Sequence, residues 1–161
     1  MRISVVTVCR NAAATIGETL SSFFDQTYPD KHLIVVDGAS TDHTVSIARG
    51  FACDHLTVIS EPDRGLYDAM NKGLGAFGGE AIGFLNADDR YHDRDALAAV
   101  ADALADADIC FGDLDYVDPS ERRRIVRRWR ATPWRRGAFR RGWMPPHPKI
   151  GLTWSSGSTP L

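Results

Sequence analysis

The chain has 161 residues, with 43% hydrophobic, 9% aromatic and 25% charged residues, which excludes a collagen-like, mucin-like or wholly disordered polymer. The net charge of −2 conceals a split: residues 1–118 hold eight basic and twenty acidic residues, whereas residues 119–161 hold eleven basic and one acidic. Two segments of opposite sign point to two physical tasks. No apolar run reaches the ~18 residues that a membrane span needs. Met1-Arg2-Ile3-Ser4 leads straight into a strand-like run with no small-residue cleavage site, so a secretory leader is not expected and a cytoplasmic location is. The three cysteines, Cys9, Cys53 and Cys110, are too few and too scattered for a disulfide framework or a metal cage, and read as buried reduced thiols.

In chain order, Ile3 to Val8 is a β-branched run, followed by Leu33 to Val36, Leu56 to Ile59, Ala81 to Leu85 and Ile109 to Phe111. Runs without polar alternation suit strands buried on both faces. Helical patterns lie between them: Ile16, Leu20, Phe23 and Phe24 after the candidate cap Asn11; a segment through Arg49 capped by Ser40 or Thr41; and Leu97, Val100, Ala101 and Leu104 after the candidate cap Asp93. The predicted class is α/β, a mainly parallel sheet with helices on both faces. Right-handed crossovers would put the strand C-terminal ends on one edge, where open α/β sheets bind ligands.

The segments beyond those ends are Cys9-Arg10-Asn11, Asp37-Gly38-Ala39-Ser40, Glu61-Pro62-Asp63-Arg64-Gly65, Asn86-Ala87-Asp88-Asp89 and Gly112-Asp113. Carboxylates this dense repel one another unless a cation or donors intervene. Carboxylate oxygens suit Mg2+ or Mn2+, which bind through one or two acids and complete their shells with water and substrate phosphates. The Asp88-Asp89 pair is the candidate metal site and a diphosphate its natural ligand. Asp42 and Asp93 read instead as helix caps.

Four blocks in order, Val5 to Asn11, Ile34 to Asp42, Glu61 to Gly73 and Gly79 to Asp89, resemble family 2 glycosyltransferases of the GT-A (Rossmann-like) fold. The resemblance is strong over residues 1–118 and looser to Pro148. It implies transfer of a sugar, of the hexosyltransferase type, from a nucleotide-diphospho-sugar donor to a sugar or lipid-linked acceptor in polysaccharide or glycolipid synthesis. By position, Val8 matches the turn packed on the base, Asp37 the acid that recognises base or ribose, and Asp88 the metal-binding acid. Asn86 stands where the family's metal motif has its first acid, and Asp89 either binds metal or orients Asp88. Gly38 stands where many members carry a second acid. Lys72 and Arg64 admit two readings: contacts to the donor phosphates, or, for Lys72, a helix-surface pair with Asp68 worth only ~0.3–0.5 kcal/mol.

The family's general base lies in a later block, and Lys149 to Leu161 contains no carboxylate, so the catalytic residue is unassigned. Asp113, Asp115 and His147 are weaker candidates. The composition break after Pro148 reads as a truncated chain with weak or no transfer activity. The division expected is a donor-binding domain over 1–118, a basic aromatic segment over 119–148, and an aberrant or disordered tail over 149–161. Residues 122–141 hold ten arginines and no acid, with Trp129, Trp134 and Phe139 interleaved and Trp143 just beyond. That segment reads as a hairpin whose arginines neutralise the acidic half, with peripheral contact to an anionic membrane face. The competing function is a non-catalytic fragment with a basic membrane- or polyanion-binding tail. Nucleic acid is not an expected partner, because the acidic half would repel it.

Overall fold

The computed structural model describes residues 1–118, 120–121 and 124–131 and the backbone of 152–160. The element order is β1 (Ile3–Cys9), α1 (Ile16–Phe24), β2 (Lys31–Asp37), α2 (Thr44–Gly50), β3 (Leu56–Ser60), α3 (Leu66–Gly75), β4 (Ala81–Phe84), β5 (Arg90–Tyr91), α4 (Ala96–Ala103), β6 (Cys110–Val117), β7 (Ile125–Trp129) and β8 (Leu152–Pro160). β1 to β4 form one parallel sheet in the order β3-β2-β1-β4. The chain winds outward from β1 through β2 and β3, then returns to place β4 on the other side of β1. The strand order therefore reverses at the β1/β4 junction, and the crevice above such a point is where doubly wound sheets take ligands.

The expected two-faced burial is present. Ile3, Val5, Cys9, Leu33 and Val35 point to one side, where Ile16, Leu20 and Phe23 of α1, Ala48 of α2 and Leu97 of α4 cover them. Val6, Val8, Ile34 and Val36 point to the other, against Ala69 and Met70 of α3. β1 is buried at every position, which is why its sequence shows no polar alternation. α3 approaches β1 through Gly73: a Cβ there would stand 2.4 Å from Cγ1 of Val6.

Several predicted details differ. Asn11 is not the cap of α1; it sits at φ 51° in the β1–α1 loop, and Thr15 is the capping residue. α2 is capped at His43 and α4 at Asp95 rather than at Ser40, Thr41 or Asp93. Asp42 does serve a helix start, since Oδ1 accepts from the Thr44 N–H at 3.0 Å. Cys53 is exposed, against the expectation of three buried thiols, because it lies in the turn after α2 rather than in a strand. The fifth predicted strand is longer than Ile109 to Phe111 and leaves the parallel sheet. It is β6, in a second sheet ordered β5-β8-β6-β7, antiparallel to both β7 and β8. Its sequence from Asp113 to Tyr116 alternates acid and apolar residues, the period-2 pattern of antiparallel strands. Within the segment expected to be an aberrant or disordered tail, the backbone of 152–160 forms β8, paired between β5 and β6.

The basic segment behaves as the neutralising hairpin where it is described. Arg124 pairs with Asp118, Arg130 with Asp113, and Arg128 Nε stands 3.4 Å from Asp115. Arg127 lies over the ring of Tyr116 at 5.3 Å. Trp134, Phe139, Trp143 and His147 lie outside the described residues.

The Gly73 contact yields a prediction. Gly73→Ala forces a methyl group into the fully buried Val6, whose β-branched side chain cannot swing away. We expect a loss of ~1–3 kcal/mol in urea unfolding, whereas Gly75→Ala, with nothing near its Cβ, leaves the midpoint unchanged or raises it.

Candidate functional site

All four parallel strands end on one edge, and that edge is built around Asp37. This last residue of β2 has 0% exposure. Its Oδ2 accepts from the Ser40 N–H at 3.0 Å and from the Ser60 hydroxyl at 2.8 Å. Its Oδ1 accepts from the Ser40 hydroxyl and, more weakly, from the Cys9 thiol at 3.7 Å. One carboxylate thus ties together the ends of β1, β2 and β3. Burial alone would raise its pKa. The hydrogen bonds from Ser40 and Ser60 more than offset that, and the net direction is down. The Cys9 thiol is pushed up to about 12 by burial and by the neighbouring Asp37 charge, so it stays a donor.

The network extends into the loops. The Asn11 N–H donates to Ser40 Oγ at 2.7 Å, and Asn11 Oδ1 accepts from the Thr41 N–H at 2.9 Å. The Ala12 N–H donates to Thr44 Oγ1 at 2.7 Å and the Ala13 N–H to Asp42 Oδ2 at 3.1 Å. The β1–α1 and β2–α2 loops are therefore locked side by side above the sheet. Asp37, expected from the resemblance to recognise base or ribose, is buried and hydrogen-bonded through both oxygens, and it anchors the edge.

The β3–α3 loop supplies the side of the crevice over β2 and β3. Lys72 Nζ reaches back to Glu61 at 2.9 Å and to the Pro62 carbonyl at 2.6 Å. Of the two readings of Lys72, the pair with Asp68 does not form: Asp68 pairs with Arg64, 2.9 Å away, and Lys72 with Glu61. The Arg64 N–H also donates to Asp68 at 3.0 Å, and this bond, followed by the Arg64 guanidinium, lowers the Asp68 pKa. Arg64 itself is 90% exposed. Asp63, which sequence reasoning passed over, has its carboxylate against the Cα of Gly38: a Cβ there would lie 2.2 Å from Asp63 Oδ2. The missing side chain at 38 was visible in the sequence; the carboxylate that fills its place was not.

Across β1, the turn after β4 presents Asn86 to Asp89. Asp88 is exposed and Asp89 is buried. Asn86 Nδ2 donates to Asp89 Oδ2 at 3.0 Å, and the Asp89 N–H closes the turn onto the Asn86 carbonyl at 3.0 Å. Asp89 therefore braces the turn from behind while Asp88 faces out. Val8, 7% exposed, packs on the α3 side of the sheet just short of the edge. Two strand spacings of ~4.8 Å put the Asp37 end and the Asn86–Asp89 turn about 10 Å apart. A cleft of about 740 Å3 between β4, α4 and β6 has Asn86 and Asp89 among its walls. Among the described residues, no group of three or more His, Cys, Asp or Glu side chains forms a metal cage. The donor set still fits a cation of the Mg2+ or Mn2+ kind, which binds through one or two carboxylates and completes its shell on phosphate oxygens and water. Asp113 and Asp115 pair with Arg130 and Arg128 of the β7 arm.

Comparison with known proteins agrees with this geometry. The family model for glycosyl transferase family 2 matches residues 4–157. A PGL/p-HBAD biosynthesis glycosyltransferase of Mycobacterium tuberculosis is 38% identical over 117 residues, covering 69% of this chain and 46% of that protein. A poly-beta-1,6-N-acetyl-D-glucosamine synthase of Staphylococcus epidermidis is 34% identical over 88 residues, covering 53% and 21%. Among solved structures, a mannosyltransferase from Pyrobaculum calidifontis in complex with GDP-Man and Mn2+ aligns with TM-score 0.62 and 35% identity, over 70% of this chain and 34% of that one. S. aureus TarS in complex with UDP-GlcNAc aligns with TM-score 0.61 and 28% identity, over 65% and 31%. The chain thus spans less than half the length of these relatives.

The anchor makes a pH prediction. A carboxylate whose folded pKa lies below its ordinary 3.8 adds stability above that pH and loses it as pH falls through the folded value. Ser40→Ala removes a hydrogen bond to a charged group, at a cost of about 1.5–3 kcal/mol at neutral pH. It also raises the folded pKa, so the acid loss begins at higher pH than in the wild type. Urea unfolding followed from pH 7 to pH 3 measures both effects.

Proposed function

The chain belongs to glycosyl transferase family 2, and from that footing we propose that it binds a nucleotide-diphospho-sugar with a divalent cation and serves transfer of the sugar to an acceptor hydroxyl. The acceptor class is a saccharide or a lipid-linked saccharide. The observation that carries this reading is the placement of the exposed Asp88 on the same sheet edge as the loops anchored by Asp37, across the end of β1. A nucleotide lying along that edge has its base over β2 and β3 and its diphosphate beside the turn after β4. The bound complexes of the two structural relatives, with GDP-Man and UDP-GlcNAc, support the ligand class.

In this reading Asp88 and Asn86 hold the cation, Mg2+ or Mn2+, and Asp89 keeps their turn in shape. When bound, the cation neutralises charge on the nucleoside-diphosphate leaving group. Val8 offers backbone at the end of β1. Arg64, exposed and paired only at the surface, and Lys72, held to Glu61 over the β3–α3 loop, supply positive charge to the β2/β3 side of the edge. Contact with an anionic membrane is a further part of the proposal. Its support among the described residues is limited to the exposed Val126 and Arg127 on the β7 edge, since Arg124, Arg128 and Arg130 are turned to acids of the same chain. Among the described residues no helix is long and apolar enough to cross a membrane.

Titration calorimetry with nucleoside diphosphates in the presence and absence of Mn2+ tests this function. We expect binding that Mn2+ tightens by roughly tenfold or more, the equivalent of about 1.4 kcal/mol. Asp88→Ala abolishes that enhancement while leaving the melting temperature in place. Binding indifferent to the cation, or unaffected by Asp88→Ala, would overturn the assignment.

A further inference from the structure

We propose that Gln26, just beyond the end of α1, is a positioning residue for the cation: its side-chain amide pins the segment that follows the Asn86–Asp89 turn and so fixes where Asp88 presents its carboxylate. The proposal rests on the donor-and-cation reading above and adds to it a residue far from the turn in sequence. Gln26 is 5% exposed. Its Nε2 donates to the Ser22 carbonyl at 3.0 Å and to the Asp93 carbonyl at 2.6 Å, and its Oε1 accepts from the Leu97 N–H at 3.0 Å. The two ends of the amide cannot exchange, since a flip would set Oε1 against two carbonyl oxygens and Nε2 against an N–H.

The two ends of the turn are secured differently. The upstream end leaves β4 inside the parallel sheet, where the Leu85 N–H donates to the Val6 carbonyl at 3.0 Å. The downstream end runs into β5, which is two residues long and belongs to the second sheet. From there to the start of α4 the chain is bound to the end of α1. The Tyr91 N–H donates to Ser22 Oγ at 3.2 Å, and the Thr27 N–H to the Arg94 carbonyl at 2.8 Å. Gln26 spans this segment, holding Asp93 within it and Leu97 in the first turn of α4. The support is itself firm: Ile16, Leu20 and Phe23 seat α1 in the core, and Lys31 Nζ donates to the Phe24 and Gln26 carbonyls. Removing the amide strands two carbonyls and one N–H. Buried groups without partners are costly, so the segment shifts to find others. Asp88, a few residues upstream, shifts with it, and a ligating site tolerates displacement of only about 0.5 Å.

The test compares the wild type with two variants. Gln26→Met keeps the length of the side chain and removes its hydrogen-bonding groups; Ser22→Ala removes the acceptor of the Tyr91 N–H. Each protein is titrated calorimetrically with UDP and with GDP, in the presence and absence of Mn2+, with a melting curve for each. We expect the roughly tenfold tightening by Mn2+ to fall to about threefold or less in Gln26→Met, with metal-free nucleotide affinity within about twofold of the wild type. Ser22→Ala gives the same pattern in smaller measure, and it decides the matter if Gln26→Met does not fold. A Mn2+ effect undiminished in the variants that fold overturns the positioning role and leaves the donor-and-cation reading standing. Loss of metal-free affinity together with the Mn2+ effect makes Gln26 a general support of the fold and also overturns the positioning role. A wild type indifferent to Mn2+ overturns the donor-and-cation reading, and this inference with it.

Discussion

A carboxylate taken wholly out of water is costly unless donors replace its hydration, and the C-terminal edge of the parallel sheet is organised by one such exchange. Asp37 receives two hydrogen bonds from Ser40, one from Ser60 and a weak one from Cys9. These partners come from the β2–α2 loop and from the ends of β3 and β1. The carboxylate therefore sets where three strand ends stop and where two loops begin. Ser40 passes the constraint on by accepting from Asn11, whose own side chain holds Thr41. The crevice floor is a continuous hydrogen-bonded unit rather than a set of independent loops.

That unit divides the acids by burial. Asp37 and Asp89 are buried and brace the chain, one beneath the β2–α2 loop and the other beneath the turn after β4. Asp63 and Asp88 are the more exposed members. Sequence proximity does not distinguish these roles. Asp88 and Asp89 are neighbours, yet successive residues in a tight turn point apart, so one faces solvent while the other accepts from Asn86.

The second sheet answers the charge asymmetry of the chain. The acids of β6 lie opposite the arginines of β7, with Asp115 directly across from Arg128. Opposite charges on facing strands favour that register. The basic segment is thus consumed in part by the protein's own acids, which lessens what it can offer to a membrane or a polyanion.

The sequence alone determined the parallel sheet, its helices on both faces and the strand ends that carry the acids. Burial on two faces demands unbroken apolar runs, and helices on each side demand a 3.6-residue period, and both patterns are local. The motifs likewise placed Asp88 and Asn86 after β4. Tertiary structure alone decided that Asp37 is an anchor, that Asp63 fills the space beside Gly38, and that Lys72 turns to Glu61 rather than to Asp68. It also moved the fifth strand into a second, antiparallel sheet. Each of these depends on which residues, distant in the chain, arrive at the same strand end, and no local period records that.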